Sequence, residues 1–310
     1  MIYFIKIASF YTIGFFRGLL WVNRAKNTKD IAVLYASTNN LGDDIQTLAQ
    51  IEALKKGGIK KYALLDREKL ADYSGKPVNL IMGGWFVHDS KQFPPSNRVN
   101  PIFISFHIKN ESLVYRNRWY FKKFEPIGCR DTFTMNLLRK HGIESYLSKC
   151  LTLVFDQFDG KRQGCFVTDV NKISWIPDLP KKFVEANKLK DYQQLTHEIP
   201  DRYEEDLDHK LKAAQELLDL YRKAEMVITS RLHCTLPCRA FGTPVYFVHS
   251  KHQKDKRFGG LEDELNPSNG SEDLESLSPK IDEEKLELTK KKILQDLFNR
   301  LNTAGVINEV

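Results

Sequence analysis

Short runs of apolar and β-branched residues recur along the chain and alternate with longer segments of helical periodicity. The runs predict strands at 31–35, 62–65, 78–82, 102–106, 126–129, 164–168, 227–229 and 245–248. The intervening segments predict helices at 45–56, 132–141, 181–195, 203–223, 234–241 and 282–301. Strands that alternate with helices in this way are typical of a mostly parallel sheet. The pattern therefore predicts an α/β protein.

The strand pattern begins at about residue 29 and shows a break near Cys150-Leu151-Thr152-Leu153. We predict two Rossmann-like domains, one over residues 29–150 and the other over 151–310. The second domain ends in the predicted C-terminal helix. Residues 1–28 lie outside both domains and form a separate segment.

Residues 1–22 are strongly apolar and aromatic, and their only charges, Lys6 and Arg17, are positive. Lys6, Arg17 and Arg24 share nearly one face of a helical wheel. This pattern favours an amphipathic helix in a membrane interface, with its cations toward lipid headgroups. A helix packed on the protein's own core, a transmembrane span and a signal peptide are the alternatives.

Composition and charge narrow the class of protein. The 310 residues are 42% hydrophobic and 28% charged, as in a soluble globular protein, and the net charge is +7. Such basicity suits acidic substrates or anionic lipid; we expect no nucleic-acid partner, since no zinc-finger, RNP or basic-zipper motif is present. Five cysteines without a CxxC pair indicate buried thiols, a reducing compartment on the cytoplasmic side, and no metal site.

The most informative stretch is VITSRLHCTLPCRAFGTPVYFV, residues 227–248. It places Arg231 and His233 between the end of a buried strand and the start of a helix, where open α/β sheets bind ligands and helix N-termini favour anions. An arginine for an anion and a histidine for proton transfer make a catalytic pair. Ordinary polar contacts of a βα loop are an equal alternative.

Other polar residues and glycines also follow predicted strands. They are Asn40, Gly42, Asp43, Gly83, Gly84, His107 and Arg130. Carboxyl ends of parallel strands meet at one edge, so these residues line one cleft if the two domains face each other. Each has a structural alternative: Asp43 as a helix N-terminal residue, the glycines as a turn, and His107 as a core or surface residue.

Taken in order, the motifs resemble those of the polysaccharide pyruvyl transferase family. They are Asn40-Leu41-Gly42-Asp43-Asp44-Ile45-Gln46, Gly83-Gly84, Gly128-Cys129-Arg130-Asp131, Cys150-Leu151-Thr152-Leu153, Thr229-Ser230-Arg231-Leu232-His233, Gly242-Thr243-Pro244 and Arg257-Phe258-Gly259-Gly260. The resemblance covers about residues 31–261. It implies two Rossmann-like domains arranged as in GT-B glycosyltransferases.

The resemblance also implies transfer of a pyruvyl group from phosphoenolpyruvate to a sugar, giving a cyclic ketal and phosphate, with no cofactor. It implies that His233 and Arg231 are catalytic and that Arg130 binds the donor as a second arginine. We expect Ser230 and Arg257 to bind the donor as well, and Asn40, Gly42, Asp43, Gly83, Gly84 and His107 to bind the acceptor.

The chemistry of the residues agrees with this expectation. Two arginines can grip a carboxylate and a phosphate bidentately, and a histidine near neutral pH can supply the acid and base. The basic N-terminal segment, residues 1–26, suggests a lipid-linked acceptor and a peripheral position on the inner face of the cell membrane. A GT-B glycosyltransferase using a sugar nucleotide, or a non-catalytic glycan- or lipid-binding protein, remain alternatives.

Overall fold

The computed structural model describes residues 23–25, 28–86, 89–170, 185, 192–248, 255–266 and 281–307. The predicted amphipathic helix over residues 1–22 lies outside these ranges. No helix within them is long and apolar enough to cross a membrane.

The described residues form parallel sheets and helices, which confirms the α/β prediction. The strands are β1 (Ile31–Tyr35), β2 (Ala63–Asp66), β3 (Val78–Ile81), β4 (Gly84–Phe86), β5 (Val99–Ile102), β6 (Phe106–Ile108), β7 (Ile127–Cys129), β8 (Ser145–Leu147), β9 (Cys165–Thr168), β10 (Tyr192–Leu195), β11 (Met226–Thr229) and β12 (Val245–Phe247). The helices are α1 (Leu41–Lys56), α2 (Glu111–Arg116), α3 (Arg118–Lys123), α4 (Thr132–Lys140), α5 (Leu207–Lys223), α6 (Leu232–Ala240), α7 (Glu262–Leu265) and α8 (Glu283–Thr303).

The chain divides into two compact units. Unit 1 holds the described residues up to Ala36, then Gly57–Cys150 and the residues from Gln295 onward; unit 2 holds Ser37–Lys56 and Leu151–Leu294. The division at Cys150 falls where the sequence predicts a domain boundary. However, α1 belongs to unit 2, and the end of α8 belongs to unit 1, whereas the sequence assigns them to the opposite domains.

Unit 1 contains two four-stranded parallel sheets, in the orders β2-β1-β3-β5 and β4-β6-β7-β8. Two chain segments run from one sheet into the other. β3 continues into β4 through Gly83, and β5 continues into β6 through Ser105. Hydrogen bonds from Met82 N to Ile102 O and from Gly84 N to Ser105 O keep these two segments paired across the break.

The break in unit 1 corrects two expectations. Gly83 follows the end of β3 as predicted, but Gly84 is the first residue of β4 and has φ +131°, a conformation that only glycine adopts readily. The predicted strand over 102–106 is also wrong, since β5 ends at Ile102 and β6 begins at Phe106. His107 therefore lies inside β6 and not after a strand.

Unit 2 contains one parallel sheet in the order β10-β9-β11-β12. Helices α1, α5 and α6 belong to the same unit, and the buried faces of α5 and α6 include Leu218, Tyr221 and Leu236. The predicted helix over 181–195 is wrong at its end, because Tyr192–Leu195 forms β10. β10 pairs in parallel with β9, which places its carboxyl end beside that of β9.

Candidate functional site

The strand–loop–helix predicted around Arg231 is confirmed. β11 ends at Thr229 and α6 begins at Leu232, with Arg231 as the extended residue before the helix. The Arg231 amide donates to Thr229 Oγ1 at 3.0 Å, and Thr235 Oγ1 donates to the Arg231 carbonyl at 3.0 Å. These bonds fix the backbone from which the Arg231 side chain projects.

Two carboxylates hold the guanidinium of Arg231. Its Nε donates to Asp169 Oδ2 at 2.8 Å, and its Nη2 donates to Glu198 Oε1 at 3.1 Å. The Arg231 side chain keeps 28% of its surface exposed. The arginine is thus oriented along one edge while part of its surface stays open to a ligand.

Asp169 directly follows β9 and is itself fixed by several donors. It has φ +54°, and its carboxylate accepts from the His197 amide at 3.0 Å and from Thr196 Oγ1 at 2.7 Å. Burial raises the pKa of Asp169, but these two hydrogen bonds and the charge of Arg231 outweigh it and lower the pKa below its usual value. Asp169 is therefore ionised where Arg231 needs a counter-ion.

Two histidines approach Gly42 in the first turn of α1: His233 from the first turn of α6, and His197 from the loop after β10. A Cβ placed on Gly42 would lie 3.4 Å from His233 Nδ1, 3.4 Å from His197 Nδ1 and 3.2 Å from Asn40 Oδ1. Asn40 Oδ1 also accepts from the Gly42 amide at 3.1 Å. A side chain at Gly42 would thus contact both imidazoles and would crowd Asn40 Oδ1.

His197 is buried and bonded on several sides. Its Nε2 lies 3.0 Å from Tyr221 Oη, and its carbonyl accepts from the Leu41 amide at 2.7 Å. Burial raises the pKa of the neighbouring Cys234 thiol, but hydrogen bonds with Cys238 and His197 prevail and lower it to about 5. His197 therefore ties β10, α1, α5 and α6 together around the His233 turn.

Asp43 and Ser230 both make hydrogen bonds within unit 2. Asp43 accepts from Thr38 Oγ1 at 3.0 Å and from Gln46 Nε2 at 3.1 Å in the first turns of α1. This arrangement favours the alternative of a helix N-terminal residue for Asp43. Ser230 Oγ donates to the Asp169 carbonyl at 3.1 Å, which ties the loop after β11 to the loop after β9.

Arg257 pairs with the residue that caps its own turn. Its Nε lies 2.9 Å from Asp255 Oδ1, and its Nη2 lies 2.5 Å from Asp255 Oδ2. Within the described chain, these contacts are local and bring Arg257 to none of the other predicted donor residues.

In unit 1, Arg130 and His107 lie beside Asp131. His107 Nδ1 is 2.5 Å from Asp131 Oδ2 and 3.0 Å from Thr134 Oγ1, and Asp131 Oδ1 caps α4 by accepting from the Thr134 amide. His107 and Asp131 are fully buried. This burial favours the alternative of a core histidine for His107.

Arg130 follows β7, and its side chain is 2% exposed. Its Nε is 3.6 Å from Asp131 Oδ2, and within the described chain neither Nε nor Nη2 has a hydrogen-bond acceptor. Buried donors of a charged group are normally satisfied, so such atoms call for a ligand or water. Arg130 therefore has the chemistry of an anion-binding residue.

Comparison with known families decides the identity. A model of the family described as polysaccharide pyruvyl transferase matches residues 40–252, which is more than half of the chain. The chain belongs to the polysaccharide pyruvyl transferase family. Every predicted site residue of this family member except Arg257 lies inside the matched span.

The chain was also compared with solved structures and with curated proteins. A crystal structure described as that of a functional uncharacterised protein from Klebsiella pneumoniae is similar over 74% of this chain and 87% of the other, at 16% identity and a TM-score of 0.44. A comparison with curated proteins finds no match.

The structure of this pyruvyl transferase family member groups its predicted site residues by unit. Unit 2 brings together Asn40, Gly42, Arg231 and His233, and unit 1 holds Gly83, Gly84, His107 and Arg130. The single cleft lined by all of them stays a prediction. The sequence missed Asp169, His197 and Glu198, although Asp169 directly follows a predicted strand and this position alone could have drawn attention to it.

The carboxyl ends of three neighbouring strands bring charged and polar side chains together in unit 2. Asp169 follows β9, His197 follows β10 by two residues, and Arg231 follows β11 by two residues. Within the described residues, no cluster of histidines, cysteines and carboxylates is arranged to hold a metal ion.

Proposed function

We propose that the protein transfers the pyruvyl group of phosphoenolpyruvate to two hydroxyl groups of a sugar, forming a cyclic ketal and releasing phosphate. The observation that carries the proposal is the arrangement of Arg231 and His233 in a member of this family. Arg231 is oriented by Asp169 and Glu198 after β11, and His233 lies in the first turn of α6.

Arg231 is the proposed donor-binding group of unit 2. Its partly exposed guanidinium and the amide end of α6 both attract a carboxylate or phosphate. Ser230 and Arg257 are further proposed donor residues. In unit 1, the unsatisfied Nε and Nη2 of Arg130 support a second anion contact.

His233 is the proposed acid and base. Protonation of the enol CH2 carbon gives a methyl group and an oxocarbenium-like centre, which the first sugar hydroxyl attacks through its oxygen. The C–O bond to phosphate then breaks, and the second hydroxyl closes the ketal. One of the two hydroxyl protons replaces the proton spent on carbon, and the other leaves with phosphate, so the reaction balances without a cofactor.

The proposed acceptor is a lipid-linked precursor of a surface polysaccharide. Asn40 and Gly42 lie beside the His233 turn, which supports their contact with the attacking sugar. Asp43, Gly83, Gly84 and His107 complete the proposed acceptor set, although the burial of His107 favours a structural role for it. We propose that residues 1–26 hold the enzyme on the cytoplasmic face of the cell membrane.

The test is to incubate the full-length protein with phosphoenolpyruvate and a panel of lipid-linked and aryl glycosides. Phosphate release and product mass are measured together. Ketal formation raises the mass of the acceptor by that of one pyruvate less one water. We expect turnover by the wild type and loss of about 10²–10⁴-fold in His233→Ala, the usual contribution of a general acid and base.

The matched control is His209→Ala, which removes an exposed histidine of unit 2 that stacks on Tyr203 at 4.1 Å. This variant should retain wild-type turnover. Retained pyruvyl transfer in both His233→Ala and Arg231→Ala contradicts the site, and turnover of a sugar nucleotide with none of phosphoenolpyruvate contradicts the reaction.

A further inference from the structure

A cation precedes each strand of the β2-β1-β3-β5 sheet in unit 1. In chain order these residues are Lys29, Lys61, Lys76 and Arg98. All pairings in the sheet are parallel, so the amino ends of its strands lie along one edge. We call this the amino edge. The four positive charges lie on the amino edge, opposite the edge where ligands of parallel sheets bind.

The lysines of the amino edge are exposed and open to a partner. Lys29, Lys61 and Lys76 line a depression of about 540 Å³ together with Tyr62 and Tyr73. Asp30 is the acidic residue among those lining it, which leaves the depression with a net positive charge. Within the described chain, no ion pair involves any of the three lysines.

The start of the described chain is fixed to the same edge. The Arg24 amide donates to Asn97 O at 2.7 Å, and Asn23 Nδ2 donates to Asn100 Oδ1 at 3.0 Å, both at the beginning of β5. The 22 residues before Asn23 are apolar and aromatic, with positive charges only. The described chain thus starts at the amino edge, and an apolar, basic sequence precedes this start.

We propose that the amino edge is a docking surface for an anionic lipid bilayer. Stable attachment to a membrane generally takes two signals, an apolar segment and a polybasic patch, and the sequence of this chain has the first directly before residues that are fixed beside the second. Tyr62 and Tyr73 add the amphipathic rings that favour a membrane interface. The inference deepens the membrane part of the proposed function and does not depend on the reaction catalysed.

The test uses the full chain and co-sedimentation with phosphatidylcholine vesicles, with and without phosphatidylglycerol. The variant carries Lys29→Gln, Lys61→Gln and Lys76→Gln. Because each lysine near an anionic surface contributes roughly fivefold in affinity, the triple variant should lose binding on the order of a hundredfold. The wild type should also bind more weakly as salt is raised.

The control variant carries Lys69→Gln, Lys91→Gln and Lys109→Gln, exposed lysines of unit 1 that follow strands β2, β4 and β6. It loses the same charge and should bind as the wild type does. Equal loss in both variants, wild-type binding by the first variant, or tighter binding of a single-stranded oligonucleotide than of anionic vesicles would each overturn the proposal. The assay contains neither donor nor acceptor, so failed docking and failed pyruvyl transfer are separate results.

Discussion

The orientation of Arg231 depends on residues that come from other strands. Its guanidinium contacts Asp169 after β9 and Glu198 after β10, and Asp169 also accepts from the His197 amide. One carboxylate therefore aligns both the arginine and the loop that carries His197. The orientation of the Arg231 side chain is a property of three neighbouring strand ends and not of the Ser230–His233 motif alone.

We expect Asp169→Asn to raise the KM for phosphoenolpyruvate about tenfold while kcat changes less, because a positioning residue acts through Arg231 and not on the reacting atoms. Steady-state kinetics measure the split. Asp208→Asn, an exposed carboxylate in the first turn of α5, is the control. A fall in kcat with unchanged KM would argue for a direct catalytic role instead.

The same substitution has a predicted pH signature. Since the folded state lowers the pKa of Asp169, its ionised form stabilises the fold above its unfolded pKa of about 3.9, and this stability is lost as pH falls through the lowered value. Asp169→Asn should lower the free energy of unfolding by about 1–3 kcal/mol near neutral pH. The difference in this free energy between the variant and the wild type should shrink below about pH 4. Denaturant titrations at several pH values measure it; a constant difference would count against the ion pair.

Gly42→Ala tests the approach of the two histidines to α1. Alanine is the better helix former by up to about 1 kcal/mol, so stability should hardly fall. The new Cβ would crowd Asn40 Oδ1 at 3.2 Å and would also contact His233 and His197 at 3.4 Å, so the turn beside His233 must shift. A small displacement of a catalytic group costs about 10- to 100-fold in rate. Lys55→Ala, in an exposed part of the same helix, should leave activity unchanged. Unaltered kcat/KM in Gly42→Ala would argue against a catalytic role for His233 beside this turn.

At the scale of elements, the sequence correctly predicts the helices and strands whose position depends on the local pattern of residues. The strand and helix around Arg231, with the start of α4 and the end of α5, follow from apolar runs and caps. The sequence does not predict an element whose conformation depends on pairing with another strand. β10 has the polar sequence Tyr192-Gln193-Gln194-Leu195 and is a strand because it adds to the edge of β9, so the strand-end position of His197 was invisible.

Helix α1 is joined to α5 by a buried ion pair, which no local pattern indicates. Lys210 Nζ lies 3.4 Å from Asp44 Oδ1, and both side chains are fully buried. We expect Lys210→Met to lower the free energy of unfolding by about 3–5 kcal/mol, because it leaves a buried carboxylate without its cation. The double variant that also carries Asp44→Leu should regain most of this stability. Denaturant unfolding measures the double-mutant cycle.

The control for this cycle is Lys212→Met, an exposed lysine two residues along α5. It should change the free energy of unfolding by less than about 0.5 kcal/mol. Additive losses in the double variant would show that the pair does not couple the two helices.

At the scale of the whole molecule, the division into units differs from the order of the chain. Sequence reasoning places a boundary near Cys150, and the contacts divide the chain there. It has no means of assigning α1, since an apolar helix fits the face of any sheet. Asn40, Gly42 and Asp43, expected on the acceptor domain, thus belong to the unit that holds Arg231 and His233.

The placement of α1 has a consequence for biosynthesis. The helix leaves the ribosome before any other part of unit 2, and its partner α5 follows only after all the strands of unit 1. Most of unit 1 can fold as it emerges, although its residues from Gln295 onward come last. By contrast, α1 waits for α5 with its buried residues uncovered. A gene fragment that starts at Leu151 would lack this helix, and its product would expose the face of α5 that α1 covers.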